Sequence, residues 1–80
     1  MKYVVFSKSS CPFCQRAEEV LADSDLDYHV IDFEDSQEKI LQEIKQAFEW
    51  PTVPMVFEVS KYAKINFIGG CSDLEAHLGV

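Results

Sequence analysis

Cys11 and Cys14 are the residues of this chain whose types and spacing can do chemistry. They stand three positions apart in Lys8-Ser9-Ser10-Cys11-Pro12-Phe13-Cys14-Gln15, the first followed by proline. In the first turn of a helix that spacing sets the two Cα atoms about 5 Å apart, inside the range a disulfide accepts. The two sulfurs are not equivalent. Cys11, at a helix N-terminus, meets unpaired backbone N–H groups and the positive end of the helix dipole, which favour a thiolate. Lys8 can add a positive charge nearby. Cys14 lies a turn deeper on the apolar face, where a thiolate is disfavoured. Cys11 is therefore the candidate attacking thiolate and Cys14 the candidate resolving thiol. The pair could also be half of a zinc site, Cys-x-x-Cys being a common fragment of one. Zinc takes about four ligands, and the other candidates, Cys71, His29 and His77, form no second close-spaced pair, so no metal is expected.

The surrounding elements must place this pair. Strand-like sequence begins at Lys2, and Tyr3-Val4-Val5-Phe6 is an apolar run suited to a central strand buried on both faces. Ser7 to Ser10 read as a polar loop. Pro12 suits the first helical position, after which Cys14, Ala17, Val20 and Leu21 share one face and Glu18, Glu19 and Asp23 the other. Asp23-Ser24-Asp25 breaks the pattern, and Tyr28 to Phe33 form a second strand. Asp35-Ser36-Gln37-Glu38 offers capping-box chemistry for a second helix with the apolar stripe Ile40, Leu41, Ile44, Ala47 and Phe48. Pro51 is expected to end it by its effect on Trp50.

Met55 to Val59 form a third strand, and Ser60 to Tyr62 a turn. Ala63, Ile65 and Phe67, alternating with Lys64 and Asn66, suit an edge strand with one wet face. A short helix, Ser72 to Leu78, follows with Leu74 and Leu78 inward. The order is strand, helix, strand, helix, strand, strand, helix. The helical crossover makes the first two strands parallel, and the last two should form a hairpin. The expectation is one α/β domain over residues 1–80.

Bulk properties narrow the function classes. Eighty residues with 48% hydrophobic content can build one small core. A net charge of −7 disfavours nucleic-acid and anionic-membrane binding, which need a basic face, and suggests a self-repelling monomer. No run approaches the roughly 20 apolar residues of a membrane helix. Nothing resembles a signal peptide, and an odd count of three cysteines argues against a secreted disulfide scaffold. The expected compartment is the cytoplasm.

Three motifs together carry a resemblance: Cys11-Pro12-Phe13-Cys14 after a lysine, Thr52-Val53-Pro54, and Gly69-Gly70-Cys71-Ser72-Asp73. In this order and spacing they resemble the dithiol glutaredoxins, over essentially the whole chain and without extra terminal helices. Thioredoxins share the fold, but their Cys-Gly-Pro-Cys after tryptophan is absent here. The resemblance implies a thioredoxin-like fold, a four-stranded mixed sheet flanked by three helices.

It also implies a glutathione site. Pro54 would be cis, turning the Val53 amide and carbonyl toward Cys11 to pair with the cysteine part of glutathione, beside Thr52. Gly69 and Gly70 permit close backbone approach. Cys71, Ser72 and Asp73 would open a helix whose N–H groups suit the γ-glutamyl carboxylate, with Asp73 pairing the ammonium group. Ser72 or Asp73 could also simply be an N-cap. Lys8 is the candidate for the glycine carboxylate. Two positions depart from the family. Phe13 replaces the usual tyrosine and should alter affinity rather than abolish activity. Pro51 replaces a basic residue common before Thr-Val-Pro, leaving Gln42, Lys45 and Gln46 as further candidates. Cys71 reads as a buried thiol near the site, His29 and His77 as surface or strand histidines, and Arg16 as a solvated arginine. Trp50 could pack over the loop before Thr52.

The function so implied is a glutathione-dependent thiol–disulfide oxidoreductase. Its partners would be glutathione and disulfide-containing or glutathionylated proteins, ribonucleotide reductase being a common family partner. Two alternatives stay open: a carrier holding a [2Fe–2S] cluster between two subunits with glutathione, and a structural zinc module. Pro12 is more typical of the redox members.

Overall fold

A computed structural model of the chain describes residues 2–8 and 11–80. Four strands, β1 (Lys2–Lys8), β2 (Asp27–Phe33), β3 (Met55–Val59) and β4 (Ile65–Gly69), form one mixed sheet in the order β2-β1-β3-β4. β1 runs parallel to β2 and antiparallel to β3, and β3 and β4 form the expected hairpin. Helices α1 (Pro12–Asp23), α2 (Glu38–Ala47) and α3 (Cys71–Leu78) complete the fold, with a 3₁₀ turn (Asp35–Gln37) leading into α2.

The two faces of the sheet are covered unequally. Tyr3 and Val5 of β1 and Val56 of β3 pack against Ala17, Val20 and Leu21 of α1 and Cys71 and Leu74 of α3. On the other face Val4 and Phe6 are only half buried. β1 therefore alternates instead of being sealed on both sides, because one face receives two helices and the other receives one. There Phe6, Phe48, Trp50, Phe57 and Phe67 touch one another in edge-on and tilted pairs 5.0–5.3 Å apart. Of the stripe expected on α2, Leu41 is fully buried, whereas Ile40 and Phe48 stay 54% and 44% exposed.

Several expected boundaries move, each for a local reason. Ser7 and Lys8 belong to β1, not to a loop, since both pair across the parallel ladder with Asp32 and Phe33. Ser7 is buried and its hydroxyl donates to Asp32. Ser9 and Ser10, the rest of that expected loop, lie outside the described residues. The box before α2 sits one residue early, with the Glu34 N–H donating to Gln37 Oε1 at 2.9 Å. Ala63 is in the turn at φ 61 instead of in β4, where its N–H reaches the Ser60 carbonyl. A bulge at Ile68, between the pairs Val56–Gly69 and Phe57–Phe67, sends Ile68 to the α1/α3 core while Phe67 joins the aromatic face.

Each helix closes with the same six-residue motif, a residue in the left-handed region followed by an N–H that reaches back to a carbonyl five residues earlier. Asp25 (φ 57), Glu49 (φ 53) and Gly79 (φ 73) occupy that position. The returning bonds are Leu26 to Leu21, Trp50 to Lys45 and Val80 to Glu75. α2 thus ends at Ala47, with Phe48 as its C-cap and Glu49 in the left-handed region, before Pro51 acts. α3 starts at Cys71, one residue earlier than expected, and its N-cap is Gly70.

Candidate active site

Three segments converge at one end of the sheet: the start of α1, the residues before β3 and the start of α3. They enclose a cleft of about 350 Å³ lined by Phe13, Arg16, Trp50, Thr52, Val53, Pro54, Gly70, Cys71, Ser72, Asp73 and Glu75. Cys11 is the N-cap of α1. Its sulfur accepts the Cys14 N–H at 3.4 Å, the place an N-cap oxygen normally takes. The same sulfur lies 3.9 Å from the Val53 carbonyl oxygen, and the Val53–Pro54 bond is cis. Cys11 is partly exposed, and Phe13 beside it is 69% exposed.

Cys14, one turn on, is 2% exposed. Burial, followed by its hydrogen bond with Cys11, pushes its thiol up to about 12 against a hydrogen bond from the Lys8 backbone. It is held protonated. The described cysteines are all free thiols.

At the far side of the cleft, Asp73 Oδ2 accepts the Gly70 N–H at 3.0 Å. It thereby serves the helix start from the third position of α3, instead of acting as the N-cap. Gly69, at φ 126, is required here. A β-carbon on it would stand 2.6 Å from Asp73 Oδ2, so the close approach is to a side chain of the chain itself. Cys71 is buried and donates to Glu75 Oε1 at 3.5 Å. Burial first, then Glu75, raises its thiol above the ordinary value.

Lys8 is not brought to this cleft. Its ammonium pairs with Glu38 Oε2 at 2.5 Å and Asp35 at 3.9 Å, and in return holds the Glu38 carboxyl below its ordinary range. Gln42, Lys45 and Gln46 line an adjoining depression with Glu49, Trp50 and Pro51, and Gln42 donates to Glu38 at 2.9 Å. Three cleft residues were absent from the sequence-based site. Arg16, exposed as expected, also bridges Glu75 at 3.5 Å and Glu19 at 3.7 Å. Glu75 and Trp50 complete the wall. Arg16 and Glu75 are 59 positions apart, so only their opposite charges hinted at a pair. Away from the cleft, His77 meets Glu58 at 2.8 Å.

A mixed four-stranded sheet with a dithiol at a strand-to-helix junction, facing a cis-proline segment, defines a dithiol oxidoreductase of thioredoxin fold. Comparison with known proteins makes the class specific. Residues 3–61 match the glutaredoxin family model, and the chain belongs to the glutaredoxin family of thiol–disulfide oxidoreductases. It is 37% identical over 78 residues to human glutaredoxin-1, covering 91% of this chain and 69% of that protein. The dithiolic glutaredoxin of Trypanosoma brucei brucei superposes with TM-score 0.76 at 42% identity, over 96% of this chain and 76% of its own. A buckwheat glutaredoxin solved as a glutathione complex gives TM-score 0.76 at 31% identity, over 96% and 68%.

Proposed function

We propose that the chain reduces protein disulfides and glutathione mixed disulfides with glutathione as reductant, through Cys11 as nucleophile and Cys14 as resolving thiol. The observation that carries this reading is the asymmetry of the dithiol. The Cys11 sulfur is partly exposed and accepts a backbone N–H, whereas Cys14 is buried and held as a thiol. The Cys11 thiolate attacks one sulfur of the target disulfide, the partner sulfur leaves as a thiolate, and a mixed disulfide on Cys11 remains. A glutathione thiolate then attacks the glutathione sulfur of glutathionylated Cys11, releasing oxidised glutathione and regenerating the Cys11 thiolate. With a protein dithiol target, Cys14 attacks Cys11 instead and expels the reduced target.

Once Cys11 is in a disulfide it neither hydrogen-bonds Cys14 as a thiol nor repels its charge. Two of the causes that raise Cys14 are then gone, so the resolver becomes easier to deprotonate when it is needed. The Val53 backbone, Thr52 and Pro54 would hold the cysteine part of glutathione, and Gly70, Cys71, Ser72 and Asp73 its γ-glutamyl part. Phe13 would flank the sulfur. Lys8 reaches the glycine carboxylate only by leaving Glu38. On this reading the chain acts as a monomer in a reducing compartment such as the cytoplasm, and disulfide-bearing enzymes, ribonucleotide reductase among them, are its protein targets. Glutaredoxin couples lie at roughly −200 to −230 mV, within reach of the glutathione pool.

The test is glutathione-coupled reduction of a small mixed disulfide and of a protein disulfide. Cys11→Ser should abolish both, and retained activity in that variant would overturn the proposal. Cys14→Ser should spare the first and impair the second. Faster turnover with thioredoxin reductase than with glutathione would reassign the reductant.

A further inference from the structure

Trp50 is the single tryptophan of the chain, and it meets the rest of the chain on several sides. Its backbone N–H ends α2 on the Lys45 carbonyl at 2.8 Å. Its ring stands edge-on to Phe67, with centroids 5.3 Å apart and planes at 83°. Its Cζ2 comes within 3.6 Å of the place a Gly70 β-carbon would take, a point also 3.8 Å from Asp73 Oδ2. The indole therefore walls the end of the cleft that Gly70 and Asp73 form, and it also borders the depression holding Lys45. One feature of it is unsatisfied. The Nε1–H is covered from solvent and has no hydrogen-bond partner among the described residues. A buried donor without an acceptor destabilises the state that contains it. An indole normally keeps its N–H paired when buried.

We propose that Trp50 is a specificity-determining residue for glutathione, its ring closing the γ-glutamyl end of the cleft and its Nε1–H pairing with an oxygen of the γ-glutamyl arm. This rests on the glutathione reading above. The γ-glutamyl arm brings a carboxylate to that end, an acceptor that none of the described residues supplies. Because the N–H is covered in the free chain, the ring must turn to pair as the ligand enters. The complex thus relieves a donor left unpaired among the described residues.

The experiment uses S-methylglutathione, which cannot react, and S-methylcysteinylglycine, which lacks the γ-glutamyl arm. Binding is followed by calorimetry and by Trp50 fluorescence. For the wild type, S-methylglutathione should bind more tightly and shift the emission, and the truncated ligand should not shift it. Trp50→Phe keeps a ring and removes the donor. It should weaken S-methylglutathione about five- to tenfold, leave the truncated ligand unchanged, and hold or raise the urea midpoint. Trp50→Ala should weaken S-methylglutathione further. Unchanged affinity in Trp50→Phe, or equal losses for both ligands with a lower midpoint, would overturn the proposal and mark Trp50 as structural. Failure of the wild type to bind S-methylglutathione at all would overturn the glutathione reading with it.

Discussion

Alkylation can read the asymmetry of the dithiol directly. Cys14 is raised from 9.0 to about 12, so at neutral pH its thiolate is about a thousandfold rarer than that of an ordinary cysteine. Thiolates, not thiols, attack iodoacetamide, and its 2% exposure slows access further. A short iodoacetamide pulse at pH 7.5, with labelled peptides counted by mass spectrometry, should therefore mark Cys11 first. Cys14 should follow at least about a thousandfold more slowly than a free thiol. Its rate should climb with pH without levelling below pH 11. Cys11→Ser sharpens the test, because it removes two of the causes raising Cys14 but not burial, the largest. Cys14 should stay slow there, by about tenfold or more relative to a free thiol. Labelling of Cys14 within tenfold of Cys11 in the wild type would refute the reasoning, as would a rate that levels off below pH 9.

Other perturbations test the framework around the pair. Tyr3 donates to Glu58 at 2.9 Å, and burial with that bond lifts its hydroxyl to about 12. A raised tyrosine stabilises the fold fully below the unfolded value near 10 and loses that contribution as pH rises toward 12. Tyr3→Phe should cost about 1.5–3 kcal/mol at pH 7, and its deficit should shrink in urea melts at pH 11. Glu58 is held low, first by His77 and then by Tyr3. Its contribution is present above the unfolded carboxylate value and fades as pH falls through the lower folded one, so Glu58→Gln should flatten the acid limb of the same melts. Gly69→Ala forces a β-carbon onto Asp73 at φ 126; it should cost roughly 1–3 kcal/mol and raise the KM for glutathione. Leu21→Ala, at a fully buried site of α1, should cost about 2–5 kcal/mol in denaturant melts. Glu38→Gln releases Lys8 and should lower the KM for glutathione about twofold to fivefold, whereas Lys8→Gln should change it little.

What could be read from the residues, and what could not, follows from range. Helix faces and the motif depend on neighbours three or four positions apart, so α1 and its two cysteines were legible. So was the hairpin of β3 and β4. The end of α1 was legible too, since Asp23-Ser24-Asp25 breaks the pattern where the helix stops at Asp23; that of α2 was not, because Glu49 takes a left-handed angle that composition assigns to glycine first. The bulge at Ile68 was also hidden. It shifts the phase of β4 only beyond Phe67, so Ile65 and Phe67 still share one face, and Ile65 lies 66% exposed at the start of the edge strand. The larger losses are ion pairs set by tertiary packing. Lys8 with Glu38, and Arg16 with Glu75, join residues 30 and 59 positions apart. Each engages a cation with a carboxylate of the chain, Lys8 being the one read as free for the glycine carboxylate.

Those two pairs bear on how the site attracts its ligand. Near the dithiol, Lys8 and Arg16 both face carboxylates of the chain, within a molecule of net charge −7. Free cationic charge is then a poor basis for recognising an anionic tripeptide. What the cleft does offer is uncharged: the Val53 carbonyl beside the Cys11 sulfur and the N-terminus of α3 at Gly70 and Cys71, joined in the proposed complex by the Trp50 N–H once its ring turns. Such groups act at hydrogen-bond range and are screened little by salt. Affinity for glutathione should accordingly fall by less than about threefold between 0.05 and 0.5 M NaCl, and a loss of tenfold or more would return the decisive role to Lys8 or Arg16.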